Sequence, residues 1–192
     1  MPEAGHAAAA HARQATERWP DAATLASFPV KTMSLRIRDF ENRDVPAIRA
    51  CIASLQDHER EIDPRLRPGE TIAADYWAKL VERCREADGH VMVAELDKAV
   101  VGFVAVLTRI RFTELDDPPG AYALIADLAV LPDQRGKGIG RELLQTAERR
   151  ARDAGAVQLR IGVLARNEAA RGLYLSAGFE PHIEIFEKRW PE

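Results

Sequence analysis

The sequence predicts an α/β fold in which helices flank a mixed β-sheet. The first observation is the order of its hydrophobic patterns, which read strand, two helices, three strands, helix, strand, helix, strand. The second is the segment Ala121–Val130, which is apolar almost throughout, as is typical of a central strand covered on both faces. The third is the amphipathic helical patterns before and after that segment, because such helices bury their apolar stripes against a sheet.

The first half of the chain is predicted to contain one short strand and two helices. Residues 34–38 read as the strand. Asp44 and Pro46 then form a helix-start signature. Apolar residues follow it at helical spacing: Val45, Ile48, Cys51, Ile52 and Leu55. Residues 56–70 are polar and contain two prolines, so they predict a loop, and a second helix is predicted over residues 71–85.

The second half is predicted to contain five strands and two helices. Residues 91–96 and 99–110 read as a hairpin whose tight turn consists of Asp97 and Lys98. The remaining elements are a loop over 111–120, a strand over 121–130, a helix over 140–154, a strand over 158–163, a helix over 167–177 and a strand over 179–186. Glycines follow both helices, where a left-handed residue commonly ends a helix.

The chain has 192 residues and a net charge of −3, and its length and composition indicate one domain. Residues 1–32 are Ala-rich and lack periodicity, so we expect a poorly ordered N-terminal tail and one domain over 33–192, with Met33 open as an alternative start. The charge provides no basic field for nucleic acid. No apolar run approaches the roughly 20 residues of a membrane helix. Two cysteines are too few for a disulfide scaffold and suit a cytoplasmic protein.

The strongest local signal is the sequence RGKGIG, from Arg135 to Gly140, between a buried strand and an amphipathic helix. Glycines let a ligand approach the backbone, and the helix N-terminus offers free N–H groups and a positive dipole end, which suits a pyrophosphate. Lys137 and Arg141 add positive charge. The Rossmann pattern needs Gly or Ala where Arg141 stands, and the Walker pattern needs Lys before Ser or Thr, so neither fits. A turn that merely joins strand to helix stays the alternative.

Two segments resemble the motifs of the GNAT superfamily. DLAVLPDQRGKGIGRELL, residues 127–144, is similar to the family's acyl-CoA-binding motif, Arg/Gln-x-x-Gly-x-Gly/Ala, with Arg135, Gly138 and Gly140 at its fixed positions. NEAARGLYLSAGFEP, residues 167–181, is similar to the family's second cofactor motif. The resemblance covers nearly all of the chain outside the tail. It implies the GNAT-type fold, a mixed and splayed β-sheet flanked by helices, and N-acetyltransferase activity.

The resemblance also implies how the co-substrate acetyl-CoA is held. The strand before the turn would pair with the pantetheine arm through the exposed backbone of Leu128, Ala129 and Val130. The turn would bind the pyrophosphate through Arg135, Gly136, Lys137, Gly138, Ile139, Gly140 and Arg141. The second motif would contact the cofactor through Asn167, Arg171 and Tyr174. The five histidines show no metal-ligand spacing, so no metal is expected.

Tyr174 stands at the position of the family's tyrosine that faces the cofactor sulfur, so the resemblance implies a general acid there. A phenol with a pKa near 10 can donate a proton to a departing thiolate; the alternative is a core aromatic. Asp127 is the only charged residue of its strand, and a buried carboxylate there could act as the general base. Its alternative is a structural role, and His58, Glu59, Glu61 or no dedicated base stay open.

The acceptor is predicted to be an amine-bearing molecule that enters opposite the cofactor. Glu59 and Tyr122 are predicted to contact it, and one hypothesis is that Glu114, Asp116 and Asp117 attract a cationic amine. A small amine, an amino acid, a peptide N-terminus and a lysine side chain all stay open. An acyl-cysteine route is not expected because both cysteines lie on apolar helix faces. A non-catalytic acyl-CoA sensor and a partner-binding domain are the other readings, and a homodimer stays open.

Overall fold

The described part of the chain forms five strands and four α-helices. The computed structural model describes residues 34–113, 115 and 118–190. In chain order its elements are β1 (Leu35–Asp39), α1 (Val45–Ile62), α2 (Gly69–Glu86), β2 (His90–Leu96), β3 (Ala99–Arg111), β4 (Ala121–Val130), α3 (Ile139–Asp153), β5 (Leu159–Ile161) and α4 (Glu168–Ser176). The predicted tail over 1–32 lies outside the described residues, so the domain boundary stays a prediction.

The five strands form one mixed sheet in the order β1-β2-β3-β4-β5. Neighbouring strands are antiparallel from β1 to β4, whereas β5 runs parallel to β4. Asp97 and Lys98 close the β2–β3 hairpin with φ angles of 48° and 72°. Two-residue hairpin turns of this type require a left-handed backbone at both positions. The predicted α/β class and the predicted hairpin are therefore confirmed.

The sheet separates two apolar cores, because successive side chains of a strand point to opposite faces. One face is covered by α3, which buries Leu143, Leu144, Ala147 and Ala151. The other face is covered by α1 and α2, which bury Ile48, Cys51, Ile52, Ala73 and Leu80. Helices thus cover both faces of β4, as its apolar run predicts. Within the described residues, no helix combines the length and the apolarity that a membrane crossing requires.

The connection between α1 and α2 is shorter than predicted. The predicted loop over 56–70 was wrong at both ends, because α1 continues to Ile62 and α2 begins at Gly69. The polar residues up to Glu61 extend α1 and are exposed or half-buried, and the prolines stand only where the helix has ended. Gly69 is needed at the start of α2, since a Cβ there would lie 2.1 Å from the carbonyl oxygen of Ala53. Glu59 consequently projects from a helix.

The predicted strand over 179–186 is absent, and the strand predicted over 158–163 is reduced to Leu159–Ile161. Residues 179–190 form no strand pairing within the described chain. Their alternation of apolar and charged residues is strand-like, but a strand also needs a partner, and Pro181 has no N–H to donate. Ile183, Ile185 and Phe186 are exposed as a result.

Candidate active site

A β-bulge in β4 determines the direction of the Asp127 side chain. Asp127 lies opposite Ala105 of β3, and Ile125 lies opposite Val106, so Ala126 is an extra residue without a partner in the ladder. Ile125 packs in the core between the sheet and α3, called the α3 core below. Ala126 packs in the core between the sheet and helices α1 and α2. Bulges commonly re-aim a side chain beside an active site. Here the bulge turns Asp127 toward α2.

The sheet opens where β4 separates from β5. The two strands pair only at residues 123–125 of β4 and 159–161 of β5. Leu131 N–H donates to the Val101 carbonyl of β3 at 2.9 Å. Because the hydrogen-bonding direction alternates along an antiparallel pair, the backbone groups of Ala129 face β3. Those of Leu128 and Val130 therefore face the gap.

A cleft of about 190 Å³ lies at this gap. Side chains and backbone from α1, α2, β4, α4 and the segment after β5 surround it. Its lining residues are Ile52, Leu55, Gln56, Glu59, Tyr76, Ile125, Ala126, Asp127, Leu128, Ile161, Gly162, Val163, Asn167, Ala170 and Tyr174. The cleft thus brings together five of the residues predicted from the sequence: Glu59, Asp127, Leu128, Asn167 and Tyr174.

Asp127 is a buried carboxyl group, with only 7% of the residue exposed. Its Oδ1 accepts a hydrogen bond of 2.9 Å from the Tyr76 hydroxyl. Its Oδ2 is buried and accepts no hydrogen bond from any described residue. Burial raises the pKa of Asp127 to about 7, against the opposing effects of the Tyr76 hydrogen bond and the positive charge of Arg83. A carboxyl with that pKa can accept and release a proton near neutral pH.

Tyr76 is a site residue that the sequence analysis missed. It lies on α2, 51 residues before Asp127, and its pKa is raised first by burial and then by the Asp127 charge. The phenol therefore stays protonated and donates to the carboxylate. No local motif surrounds Tyr76. The sequence indicates only that it lies next to the apolar face of α2. Pairing it with Asp127 requires the tertiary fold.

Glu59 and Tyr174 line the cleft from α1 and α4. Glu59 is half-buried, and burial raises the pKa of its carboxyl group. Burial also raises the pKa of Tyr174 to about 12, with a smaller contribution from the charge of Glu59. The Tyr174 ring packs in the α3 core, 6.1 Å from the ring of Phe179 between centroids. Tyr174 thus packs in this core and also lines the cleft.

The glycine turn, Arg135–Gly140, lies directly before and at the start of α3. Gly136 and Gly138 have φ angles of 74° and 83°, where residues with a Cβ are strained. A Cβ at either position would meet no protein atom within 4 Å. Gly140 differs, because a Cβ there would lie 3.3 Å from Leu173 Cδ2. Two glycines thus shape an open turn, and the third lets α3 approach α4.

Comparison with known proteins agrees with this architecture. Residues 52–179 match the model of the acetyltransferase (GNAT) family. The chain belongs to the GNAT family.

Relatives of this GNAT domain are distant in sequence. A thialysine N-epsilon-acetyltransferase of Bos taurus is 27% identical over 163 residues, which cover 77% of this chain and 85% of that protein. The L-amino acid N-acyltransferase MnaT of Escherichia coli is 28% identical over 130 residues, 68% of this chain and 73% of MnaT. The solved structure of aminoglycoside N-acetyltransferase AAC(6')-Iy in complex with CoA has 18% identity and a TM-score of 0.61, covering 85% of this chain and 99% of that one.

The basic side chains of the glycine turn form hydrogen bonds within the protein. Arg135 Nε donates to the Val130 carbonyl at 3.0 Å. Lys137 Nζ donates to Gln134 Oε1 at 2.9 Å. Arg141 donates to Ser176 Oγ at 2.9 Å and so links α3 to α4. Ile139 is only 3% exposed. The turn thus presents its backbone together with two exposed basic side chains, Arg135 and Lys137, that already form hydrogen bonds within the protein.

The second motif forms the start of α4. Asn167 Oδ1 accepts a hydrogen bond of 3.1 Å from the Ala170 N–H and caps the helix. Asn167 is 8% exposed and lines the cleft, whereas Arg171 is half-buried and does not line it. The cap thus fixes the position of Asn167 beside the gap between the strands.

The structure does not bring every predicted residue to the cleft. Tyr122 stacks instead with Phe112, at 5.0 Å between ring centroids, and with the guanidinium of Arg160 at 4.3 Å. The three loop acids at 114, 116 and 117 lie outside the described residues. Among the residues that are described, no group of three or more His, Cys, Asp or Glu side chains is placed to hold a metal ion.

Proposed function

We propose that this GNAT protein is an N-acetyltransferase that moves an acetyl group from acetyl-CoA to a primary amine in a ternary complex. The observation that carries the proposal is the buried carboxyl group of Asp127, one oxygen of which has no hydrogen-bond partner among the described residues, in a cleft that Tyr174 also lines. The GNAT match and relatives named as acyltransferases of thialysine and of L-amino acids support the same chemistry.

The glycine turn and the free side of β4 form the proposed acetyl-CoA site. Open space over Gly136 and Gly138 suits a pyrophosphate held by amide N–H groups at a helix N-terminus. The backbone groups of Leu128 that face the gap can pair with the amide-containing pantetheine arm, whereas the Val130 carbonyl already accepts from Arg135. The solved structure of the neighbour AAC(6')-Iy is a complex with CoA, which supports the use of an acyl-CoA.

Asp127 is the proposed general base. An amine acceptor arrives mainly as an ammonium ion, since alkyl amines have pKa values near 10.4. It must lose a proton before its nitrogen can attack the thioester carbonyl. Oδ2 of Asp127 has no hydrogen-bond donor among the described residues, and Tyr76 fixes the other oxygen. The carboxylate takes this proton, directly or through one water, and the neutral amine then attacks the thioester carbonyl.

Tyr174 is the proposed general acid. Attack by the amine gives a tetrahedral oxyanion whose nitrogen releases its surplus proton to solvent, and collapse of the oxyanion then breaks the C–S bond. Because burial raises the pKa of Tyr174 to about 12, the phenol is protonated throughout the working pH range. It donates to the sulfur as the bond breaks and regains a proton from solvent. The amide N–H of Val130, which faces the gap, is the proposed donor to the oxyanion.

Acetyl-CoA is expected to raise the melting temperature of the protein. A specific ligand at 100 times its Kd adds about 2.7 kcal/mol to the free energy of unfolding, which corresponds to about 5–10 °C for a chain of this size. Thiol release in the presence of a set of primary amines then distinguishes an enzyme from an acyl-CoA sensor. A thermal shift without thiol release would favour the sensor, and no shift at all would refute the proposed site.

Gly138→Ala is expected to weaken CoA binding by about tenfold or more, equivalent to about 1.4 kcal/mol. Gly138 has a φ of 83°, so alanine also strains the folded state by about 1–2 kcal/mol. The added methyl group would stand where the pyrophosphate approaches the amides. Isothermal titration with CoA measures the loss of affinity, and thermal melting measures the strain.

Gly155→Ala provides the matched control for this substitution. Gly155 follows the other end of α3 with a φ of 77°, and a Cβ there also meets nothing within 4 Å. Its alanine variant should lose similar stability but retain CoA affinity. Equal affinity losses in the two variants would show that strain, and not contact at the turn, weakens binding.

A further inference from the structure

We infer that the acceptor is a dication, an alkyl amine that carries a second cationic group and no carboxylate beside the reacting nitrogen. This inference names the acceptor class of the cleft and rests on the proposed acetyltransferase function. It depends on the charges that line the cleft, on a buried oxygen without a partner, and on the position of a second carboxylate.

The cleft has charged side chains of one sign only. Among its described lining residues, Glu59 and Asp127 are charged, and none is a lysine, arginine or histidine. Arg83 acts electrostatically on Asp127 from α2 but does not line the cleft. A carboxylate in the acceptor would find no cation there to bind it, whereas an ammonium group would find two carboxylates.

The unpartnered oxygen of Asp127 points independently to a donor ligand. Buried carboxylate oxygens in proteins almost always accept a hydrogen bond, and a missing partner leaves the cost of removing the oxygen from water without compensation. An ammonium group has three N–H donors and no acceptor. The reacting nitrogen of the acceptor therefore fits Oδ2, while Tyr76 occupies Oδ1 at 2.9 Å.

Glu59 provides the second carboxylate, and it projects from α1, whereas Asp127 lies on β4. Glu59 is near enough to influence the ionisation of Tyr76, Asp127 and Tyr174. Its own partial burial disfavours its charge, and a second ammonium group of the acceptor would offset that cost. The two acids thus suit two positive charges along one alkyl chain.

The arrangement also disfavours α-amino acids as acceptors. Their carboxylate lies on the carbon that bears the amine, so it would enter the cleft beside Asp127. Two carboxylates at close range repel each other, and no lining cation offsets the repulsion. A terminal amine on a chain that ends in another ammonium group avoids this conflict.

Three acceptors of similar length test the inference in the wild-type enzyme: 1,5-diaminopentane, pentylamine and 6-aminohexanoate. We expect kcat/KM for the diamine to exceed that for pentylamine by about tenfold, the effect of one partly desolvated charge pair. The aminohexanoate should be the poorest acceptor. Thiol release from acetyl-CoA gives the rates, and mass spectrometry confirms N-acetylation.

Glu59→Gln should reduce the diamine-to-pentylamine ratio of kcat/KM toward one. Glu82→Gln is the matched control, because Glu82 is an exposed residue of α2 that does not line the cleft, and it should retain the ratio. The acceptor series in the wild-type protein tests the inference even if Glu59→Gln folds poorly.

The outcomes separate this inference from the proposed function. Acetylation of all three acceptors at similar kcat/KM, or preference for the aminohexanoate, would overturn the dication inference and leave the acetyltransferase proposal standing. Failure to acetylate any amine, although CoA raises the melting temperature, would overturn both. A ratio that survives in Glu59→Gln would exclude Glu59 as the second carboxylate and so also overturn the inference.

Discussion

Tyr174→Phe is expected to lower kcat by about 100- to 1,000-fold, the usual contribution of a general acid, while the protein folds normally. The substitution removes only the hydroxyl group. The ring keeps its place in the α3 core and its contact with Phe179. Thiol-release assays at saturating acetyl-CoA and amine measure kcat. Circular dichroism with thermal melting tests whether the fold is retained.

Two controls separate a chemical role of the hydroxyl from a packing role. The Kd for CoA should change little in Tyr174→Phe, since the proposed role is exerted on the departing sulfur. Tyr122→Phe removes the same group from a ring that stacks on Phe112 and Arg160 outside the cleft, and it should retain kcat. Near-normal turnover by Tyr174→Phe would remove Tyr174 from the mechanism.

The parts of the fold that were predicted from the sequence are those with a local cause. The apolar run of Ala121–Val130, which only Asp127 interrupts, indicates burial on both faces. The left-handed backbone at Asp97 and Lys98 belongs to a two-residue hairpin turn. Gly136 and Gly138 mark a turn that only glycine adopts without strain. In each case neighbouring residues contain the physical reason, so a linear pattern is enough.

The parts that were missed depend on contacts between distant residues. The bulge at Ala126 appears only when β4 is aligned with β3, and without it the direction of Asp127 is unknown. Tyr76 becomes a site residue only because the sheet brings Asp127 to α2. The segment over 179–190 has strand-like alternation, but alternation does not specify a partner strand.

Glycine motifs also mix functions that sequence cannot separate. Gly138 and Gly140 both occupy fixed positions of the motif, yet only Gly138 has a positive φ, and only Gly140 has a neighbouring side chain within 3.3 Å of its missing Cβ. Arg141, predicted as part of the anion site, is bonded to Ser176 of α4. One short motif thus contains both a proposed ligand site and a helix–helix contact.

Asp127→Asn is expected to lower kcat/KM by about 100-fold or more at pH 8, because asparagine cannot accept the ammonium proton. Only the ionised form of Asp127 acts as a base, and its pKa is about 7. The wild-type rate should therefore fall as the pH drops below 7. Dividing the wild-type rate by the variant rate at each pH cancels the ionisation of the amine, which both enzymes share.

This ratio should fall by about tenfold for each pH unit below 7, since one proton inactivates the base. Tyr76→Phe supports the assignment, because it removes a hydrogen bond that lowers the pKa of Asp127. In the Tyr76→Phe variant, the fall in rate on the acidic side of the pH–rate profile should begin at a higher pH. Charged and titratable groups also act on Asp127 from α1 and α2, namely Glu59, Arg83 and Cys84. Because the charge of Glu59 raises the pKa of Asp127, Glu59→Gln should move the acidic fall of the pH–rate profile to lower pH.

Stability provides an assay of the same ionisation that does not depend on turnover. The pKa of Asp127 is about 7 in the folded protein against an ordinary value of 3.8, so the folded state binds this proton more tightly than the unfolded chain. Its stabilising effect is complete below about pH 4 and is lost as the pH rises through 7. Asp127→Asn lacks this loss, so its melting temperature should rise relative to that of the wild type between pH 5 and pH 8. If the melting temperatures follow this trend but the rate ratio does not fall below pH 7, Asp127 is a buried structural acid and is excluded as the base.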